Sequence, residues 1–334
     1  MKKVKATMQD IANQAGVSKT TVSMVLNNKD SSISDTTRKK ILEIAEEMNY
    51  IPNSIARSLS TNKSGTIGIM VPDITNPFFS EIARAIEDAA NKYDYNVIFC
   101  NLDNEIVKED KYVKLLVSKL VDGVIFITGG NSDKSIDILK GNNVPFVFVD
   151  RYVKGYEQYY GVYSLNKEGM TEGIDYLYRN NKRKIVFVSG DPNLGVSKLR
   201  YEGYKEAMEK YGLYNEELIF EGDFSLDGGK KVTKDIIEQI KDFDAIFFSN
   251  DLMAIGGMKV LVKNGYRVPE DVGIIGFDNI QIAEMMEPGL TTIGQPIYDM
   301  GKEACELLIG FIHGEDNNEK IIRFKPKLIV RDSV

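Results

Sequence analysis

Nine residues of this 334-residue chain carry side chains suited to one chemistry. Asp150, Arg151, Arg200, Asn250, Asp278 and Gln295 supply carboxylates, guanidiniums and amides, planar groups that pair with vicinal hydroxyls. Phe78, Phe79 and Phe224 supply flat apolar faces that suit the C–H side of a hydroxylated ring. Their positions follow a rule. Pro72-Asp73 and Asn76-Pro77-Phe78-Phe79 come after the apolar run Thr66–Val71, Asp150-Arg151 after Phe146–Val149, Asn250-Asp251 after Ala245–Ser249, and Asp278-Asn279 after Gly273–Phe277. Arg200 begins a helix after a loop, Phe224 follows Gly222-Asp223, and Gln295-Pro296 follows Thr292-Ile293. In open α/β sheets ligands bind beyond the carboxyl ends of the strands. Each residue also has a packing alternative. Asp150-Arg151 serves equally as a surface ion pair, Phe78 and Phe79 as core, and Asn250 or Asp251 as a helix cap, with Asp251 expected to cap.

Other chemistries find little support. One histidine, His313, and two cysteines, Cys100 and Cys305, without CxxC spacing argue against a His-rich metal site, a Ser-His-Asp triad and a disulfide framework. Gly228-Gly229-Lys230-Lys231 lacks the earlier Gly and the Ser/Thr of a phosphate loop, and no GxGxxG, GxSxG or HExxH is present. Neither enzymatic activity nor a cofactor or metal is expected. No apolar run approaches the ~18 residues of a membrane span. Met1-Lys2-Lys3-Val4-Lys5 is basic but leads into no apolar stretch, so no signal peptide is read and a cytoplasmic protein with no membrane partner is expected.

The elements that must position the nine residues are legible from Thr66 onward. Apolar runs Thr66–Val71, Val97–Cys100, Gly123–Ile127, Phe146–Val149, Ile185–Ser189, Ala245–Ser249 and Gly273–Phe277 alternate with helical stretches. These stretches are Phe79–Lys92, Asp110–Leu120, Glu168–Arg179, Leu199–Tyr211, Gly228–Ile240, Asp251–Asn264 and Tyr298–Ile312. Near-continuous apolar strands between amphipathic helices predict parallel sheets covered on both faces. A break near Tyr163-Ser164 divides them into two doubly wound halves, and Ile321–Phe324 and Leu328–Arg331 add two late strands.

The first sixty residues differ. Residues 1–63 hold ten Lys/Arg against six Asp/Glu, a net of +4, while the remainder holds 32 against 43, a net of −11. A basic piece on an acidic body suits a nucleic-acid-binding head on a regulatory body. Thr7 and Asp10 open a helix with apolar Ile11, Ala12 and Ala15. Gly16 permits a left-handed turn, Val17 plugs the corner, and Ser18 caps a second helix carrying Val22 and Val25 inward. Ser34 caps a third, in which Ile41, Ile44, Ala45 and Met48 recur at helical spacing. This predicts a helix-turn-helix within a minimal three-helix core. Pro52 then suits the first turn of a short helix, followed by the polar linker Thr61-Asn62-Lys63-Ser64-Gly65.

Met8-Gln9-Asp10-Ile11-Ala12, Ala15-Gly16-Val17-Ser18, Thr21-Val22-Ser23 and Val25-Leu26-Asn27 closely resemble the headpiece of the lactose/galactose-repressor family of bacterial transcription regulators. Pro52-Asn53, Ala56-Arg57 and Leu59 look like its hinge helix. The resemblance implies an α/β chain with a headpiece (1–50), a hinge helix and linker (51–63), and two subdomains of periplasmic-binding-protein type (64–163 with 291–322, and 164–290 with 323–334). It implies chain crossovers near 163, 290 and 323. It implies a homodimer on pseudo-palindromic double-stranded DNA, with no leucine-rich heptad after Val330 to build a tetramer. Lys19 and Thr20 would read base edges, and Thr7, Ser18, Thr21, Ser23, Asn27, Asn53 and Arg57 would support the DNA contact. Ala56 would pack the paired hinges and Leu59 would wedge into the minor groove. Where the family commonly has Arg, this chain has Met24, whose thioether cannot bond guanine as a guanidinium does. The resemblance also places all nine cleft residues in contact with a small effector, and the Asp150-Arg151 pair favours a sugar.

Two alternatives accompany this expectation. Ala83–Asp88 and Gln295–Asp299 are similar to a catabolite-responsive branch of the family, in which a serine-phosphorylated phosphocarrier protein docks as corepressor. The cations expected there fall on Glu306 and Gly310, leaving Arg84 alone, so a sugar-responsive regulator is the better reading. A sugar-binding sensor or transport protein fits the body but not the headpiece.

Overall fold

The computed structural model describes residues 6–27, 32–51, 63–103, 105–127, 133–150, 152–153, 155–315 and 320–334. The chain divides into two compact units, Met1–Ser64 and Gly65–Val334.

The first unit is built from α1 (Met8–Ala15), α2 (Lys19–Leu26) and α3 (Asp35–Glu47). A capping box starts α1: the Asp10 N–H donates to Thr7 Oγ1, and the Thr7 N–H donates to Asp10 Oδ2. Gly16 ends the helix at φ 73°, and Lys40 Nζ on α3 donates to the Ala15 carbonyl at 3.0 Å. Ser18 and Ser34 cap α2 and α3 through the amides of Thr21 and Thr37. Ile11, Ala12, Ala15, Val22, Val25, Ile41, Ile44 and Ala45 form the core, with Val17 and Met48 against its edge. Three helices this short are held by that shared core rather than by their own propensity.

The second unit contains two six-stranded sheets. The first sheet uses β1 (Thr66–Val71), β2 (Asn96–Asn101), β3 (Gly123–Ile127), β4 (Phe146–Val149), β5 (Gly161–Ser164) and β11 (Ile321–Phe324), in the order β11-β5-β4-β3-β1-β2, all parallel. The second uses β6 (Ile185–Ser189), β7 (Ile219–Glu221), β8 (Ala245–Phe248), β9 (Gly273–Asp278), β10 (Thr291–Gly294) and β12 (Lys327–Ile329). Its order is β12-β10-β9-β8-β6-β7, and β12 runs antiparallel to β10. The helices are α4 (Pro77–Lys92), α5 (Ile106–Ser118), α6 (Asp133–Gly141), α7 (Asn166–Arg179), α8 (Gly195–Lys210), α9 (Leu226–Gln239), α10 (Asp251–Lys263), α11 (Gln281–Met285) and α12 (Ile297–His313).

Alternation along the strands explains the layering. In β3, Ile125 and Ile127 pack with α4 and α12, while Val124 and Phe126 pack with α5 and α6. In β8, Ile246 and Phe248 face α9 and α10, while Ala245 and Phe247 face α7 and α8. Both faces of each sheet are therefore covered, as apolar parallel strands require. Three connections join the lobes: Ser164 to Asn166, Gly294 to Ile297, and Phe324 to Lys327.

The details correct several expectations. Thr291–Gly294 is a strand of the second sheet, not part of the first lobe, and the first sheet extends through Phe324 rather than ending at 322. Each shift arises because the strand completes its ladder before the chain crosses over. Strands β5, β7 and β10 and helices α6 and α11 were absent from the expected elements. Arg200 lies inside α8 rather than at its start, because the helix begins at Gly195 behind Leu194, which offers no capping side chain. Asn250, not Asp251, caps α10: its Oδ1 accepts the Met253 N–H at 3.0 Å.

Candidate functional site

Turns at the strand ends aim the polar residues of the second unit toward one another. Asp150 follows β4 at φ 51°, and Asp278 ends β9 at φ 116°. Both lie in the left-handed region that non-glycine residues avoid, so the surrounding structure must hold them there. Asp150, Arg200, Asn250, Asp278, Gln295 and Phe78 are all buried.

A continuous polar network joins residues of the two lobes. The Asn166 amide donates toward Asp150 Oδ1 at 3.5 Å, and its Oδ1 accepts from Arg200 Nε at 2.8 Å. Arg200 Nη2 lies 3.6 Å from Asp278 Oδ1, which also accepts from Gln295 Nε2 at 2.7 Å. Arg200 Nη1 donates to the Ser249 carbonyl, and its guanidinium lies 3.8 Å from the centre of the Phe277 ring. Asn166 Nδ2 further donates to Tyr152 Oη and to the Ser164 carbonyl.

The electrostatics follow from burial. Loss of water raises the Asp278 carboxyl well above the usual carboxylate range; Arg200 opposes this, while Asp251 and Asp150 reinforce it. Burial likewise raises Asp150 against the pull of Arg200. Burial also pushes Asp251 up to about 7, against hydrogen bonds from Thr292 and the Ile280 N–H. Four buried side-chain atoms, Gln295 Oε1 in the network, Ser164 Oγ and Ser249 Oγ on residues whose carbonyls it binds, and Ser197 Oγ three residues before Arg200, have no hydrogen-bond partner among the described residues. Buried polar groups rarely go unpaired, so spare acceptors and donors on residues of this network suit a polyhydroxylated guest.

The aromatic residues are placed less uniformly. Phe78 and Phe79 form an edge-to-face pair, centroids 5.2 Å apart, at the start of α4. Phe224 is held at φ 65° by Asn250 Nδ2, which donates to its carbonyl at 2.9 Å. Its ring occupies the space over Gly190, where any Cβ would lie 2.0 Å from it. Much of the Asn250 amide is therefore engaged in capping α10 and fixing Phe224. Arg151 lies outside the described residues. A crevice of about 460 Å³ between the lobes is lined by Pro77, Ser80 and Glu81 on one side and Asn279 and Gln281 on the other. Pro77 and Asn279 adjoin Phe78 and Asp278 in sequence.

Asn166 and Tyr152 were missed from the sequence, though Asn166 links Asp150 to Arg200. The available signal was its place two residues past the break at Ser164.

In the first unit, Ser18, Lys19 and Thr20 are exposed at the start of α2. Ser18 Oγ accepts the Thr21 N–H at 3.0 Å, and Asn27 Nδ2 donates to the Ser23 carbonyl at 2.7 Å. Thr7 is exposed and caps α1. Asn53, Ala56, Arg57 and Leu59 lie outside the described residues.

Residues 7–53 match the family of bacterial regulatory proteins, lacI family, and residues 174–334 match the periplasmic binding protein-like domain. The chain is 40% identical to the ribose operon repressor of Halalkalibacterium halodurans over 327 residues, covering 98% of this chain and 96% of the relative. It is 25% identical to a lac repressor dimer bound to operator and the anti-inducer ONPF, with a TM-score of 0.90 and 99% of each chain covered. It is 32% identical to a LacI family transcriptional regulator from Enterococcus faecium with bound ribose, with a TM-score of 0.73, covering 80% of this chain and 98% of that one.

Proposed function

The chain belongs to the lacI family of bacterial regulatory proteins, and on that premise we propose that it is a homodimeric repressor whose grip on a pseudo-palindromic operator is set by a pentose, D-ribose being the first candidate. The observation that carries this reading is the buried Asp150–Asn166–Arg200–Asp278–Gln295 network. It joins residues of both lobes, and Gln295, Ser164 and Ser249, which belong to it or bind it through their carbonyls, each keep an unpartnered side-chain oxygen. A small neutral polyol fits such a place: its hydroxyls both donate and accept, and charged groups form the stronger bonds to them. Kinship with a ribose operon repressor and likeness to a regulator holding ribose support a pentose.

Effector binding at a network that joins both lobes would stabilise one lobe arrangement over another, and only such differential affinity can shift a regulator between states. In the first unit, α2 presents Lys19 and Thr20 to base edges, with Thr7, Ser18, Thr21, Ser23 and Asn27 around them, as a recognition helix does. Asn53, Ala56, Arg57 and Leu59 complete the DNA contact in this reading. Exposed Phe99 on edge strand β2, Val107 and Leu115 on α5, and Met285 on α11 offer apolar surface for the dimer. Among the described residues no helix is long and apolar enough to cross a membrane, and a regulator of DNA works in the cytoplasm.

Dependence on a phosphocarrier is disfavoured. Glu306 occupies a position where a phosphate needs a cation, and Arg84 is already ion-paired with Asp88 at 3.1 Å. Isothermal titration of D-ribose into the full chain tests the effector assignment. Saturable one-to-one binding supports it, and no heat at millimolar sugar contradicts it.

A further inference from the structure

Asp278 stands in an unfavourable backbone conformation, φ 116°, and the next residue, Asn279, is also left-handed at φ 63°. Two consecutive residues of this kind persist only where neighbours over-determine them. Here the neighbours can be named. The Asp278 carbonyl accepts the Gln295 N–H at 3.1 Å. The Asn279 N–H donates to Thr292 Oγ1 at 3.3 Å, and the Ile280 N–H donates to Asp251 Oδ2 at 2.9 Å. Thr292 Oγ1 in turn donates to Asp251 Oδ1 at 2.5 Å. The Asn279 side chain is held as well: Arg331 Nη2 donates to its Oδ1 at 2.8 Å, while Nη1 of the same guanidinium donates to the Leu290 carbonyl at 2.8 Å. The Arg331 N–H donates to Thr291 Oγ1, and Ser333 ties the following turn to β9 through the Ile274 carbonyl.

Residues 278–280 are thus held from several elements: Asp278 by the Gln295 N–H after β10, Asn279 by Thr292 of β10 and by Arg331 after β12, and Ile280 by Asp251 of α10. The space is built for it, since any Cβ at Gly276 would lie 2.1 Å from Asp251 Oδ1. The planar fork of Arg331 reaches Asn279 and Leu290 at once, which a lysine ammonium cannot reproduce.

We propose that Arg331 is a positioning residue for the effector site: acting through Asn279, it holds Asp278 in the orientation that receives the sugar. The inference rests on the assignment of Asp278 and Arg200 to effector binding, and the test separates the two. D-Ribose affinity is measured by titration calorimetry on the full-length parent, Arg331→Met, Asn279→Gly, the double variant and Arg200→Met, beside melting temperature and sugar-free operator affinity.

Glycine adopts φ 63° without steric strain, so Asn279→Gly removes the handle without straining the backbone. Both single variants are expected to weaken ribose binding tenfold or more, with operator affinity unchanged. Because both substitutions break one linkage, the double variant should lose no more than about threefold beyond the weaker single. Arg331→Met that melts earlier but binds ribose as the parent does would reduce Arg331 to a fold-stabilising role and overturn the proposal. So would losses that multiply in the double variant, which would mean two independent effects. Unchanged ribose affinity in Arg200→Met, or no ribose binding by the parent, would overturn the site assignment itself, and the proposal with it.

Discussion

Removing Arg200 should expose how much of the site's stability depends on one guanidinium. It faces Asp278 at 3.6 Å, binds Asn166 Oδ1 at 2.8 Å and the Ser249 carbonyl, and lies 3.8 Å from the Phe277 ring centre. Arg200→Met keeps the stacking stem but leaves Asp278 and Asp150 buried without that cation. Deleting one member of a buried pair costs about 3–5 kcal/mol. At roughly 2–4 °C per kcal/mol for a unit of this size, melting should fall by on the order of 10 °C.

The loss should depend on pH with a definite sign. Asp278 already has a folded-state pKa above its unfolded value, because burial outweighs Arg200. Without Arg200 it rises further. A group of this kind keeps its stability below the unfolded pKa and loses it as pH rises through the folded pKa. The gap between parent and variant should therefore narrow as pH is lowered across the measured range, because protonation neutralises the stranded carboxylate. Differential scanning calorimetry across that range is the assay. Arg200→Met/Asp278→Asn should recover at least half of the loss at pH 8. A penalty under about 1 kcal/mol, or one that does not change with pH, would refute the claim that Arg200 compensates a buried carboxylate.

Three further outcomes are expected. Thr7→Ala breaks the capping box of α1 and should cost about 1 kcal/mol, seen as roughly fivefold faster hydrogen exchange at the core amides of Ile11 and Ala12. Gly190→Ala drives a methyl into the Phe224 ring; it should destabilise the second unit by about 1–3 kcal/mol and weaken ribose binding in calorimetry. Asp251 is held at about 7 against an ordinary value of 3.8, so the folded chain keeps a proton that the unfolded chain releases. Its stability term is complete below about 4 and is lost as pH rises through 7, and Asp251→Asn should flatten that slope in urea titrations.

Local chemistry made some elements legible and tertiary structure hid the others. Thr7, Ser18 and Ser34 each precede an apolar helical period and cap through their own side chains, so the first unit was readable from neighbours in sequence. Helix α8 starts without such a side chain, and Arg200 was misplaced within it for that reason. Asn250 and Asp251 are equally plausible caps. What assigns them is Thr292, which claims the Asp251 carboxylate from 41 positions away. Asn166 acquires its role only when the crossover brings α7 beside Arg200, 34 residues on. The Arg331–Asn279 link spans 52 residues and has no periodic signature. The strands β5, β7 and β10 are short and mix apolar with glycine or polar residues, whereas β4, no longer, is apolar throughout.

In the proposed function, ribose bound at the Arg200–Asp278 network controls the grip on DNA. Operator DNA selected from a random library by the full-length chain, labelled and titrated with protein in fluorescence anisotropy with and without D-ribose, tests it most directly. The expected result is tight, salt-sensitive binding to a pseudo-palindrome, release by ribose, and a ribose-blind complex with Arg200→Met. Operator binding that ribose leaves unchanged in the parent chain, or changes equally in Arg200→Met, would contradict it.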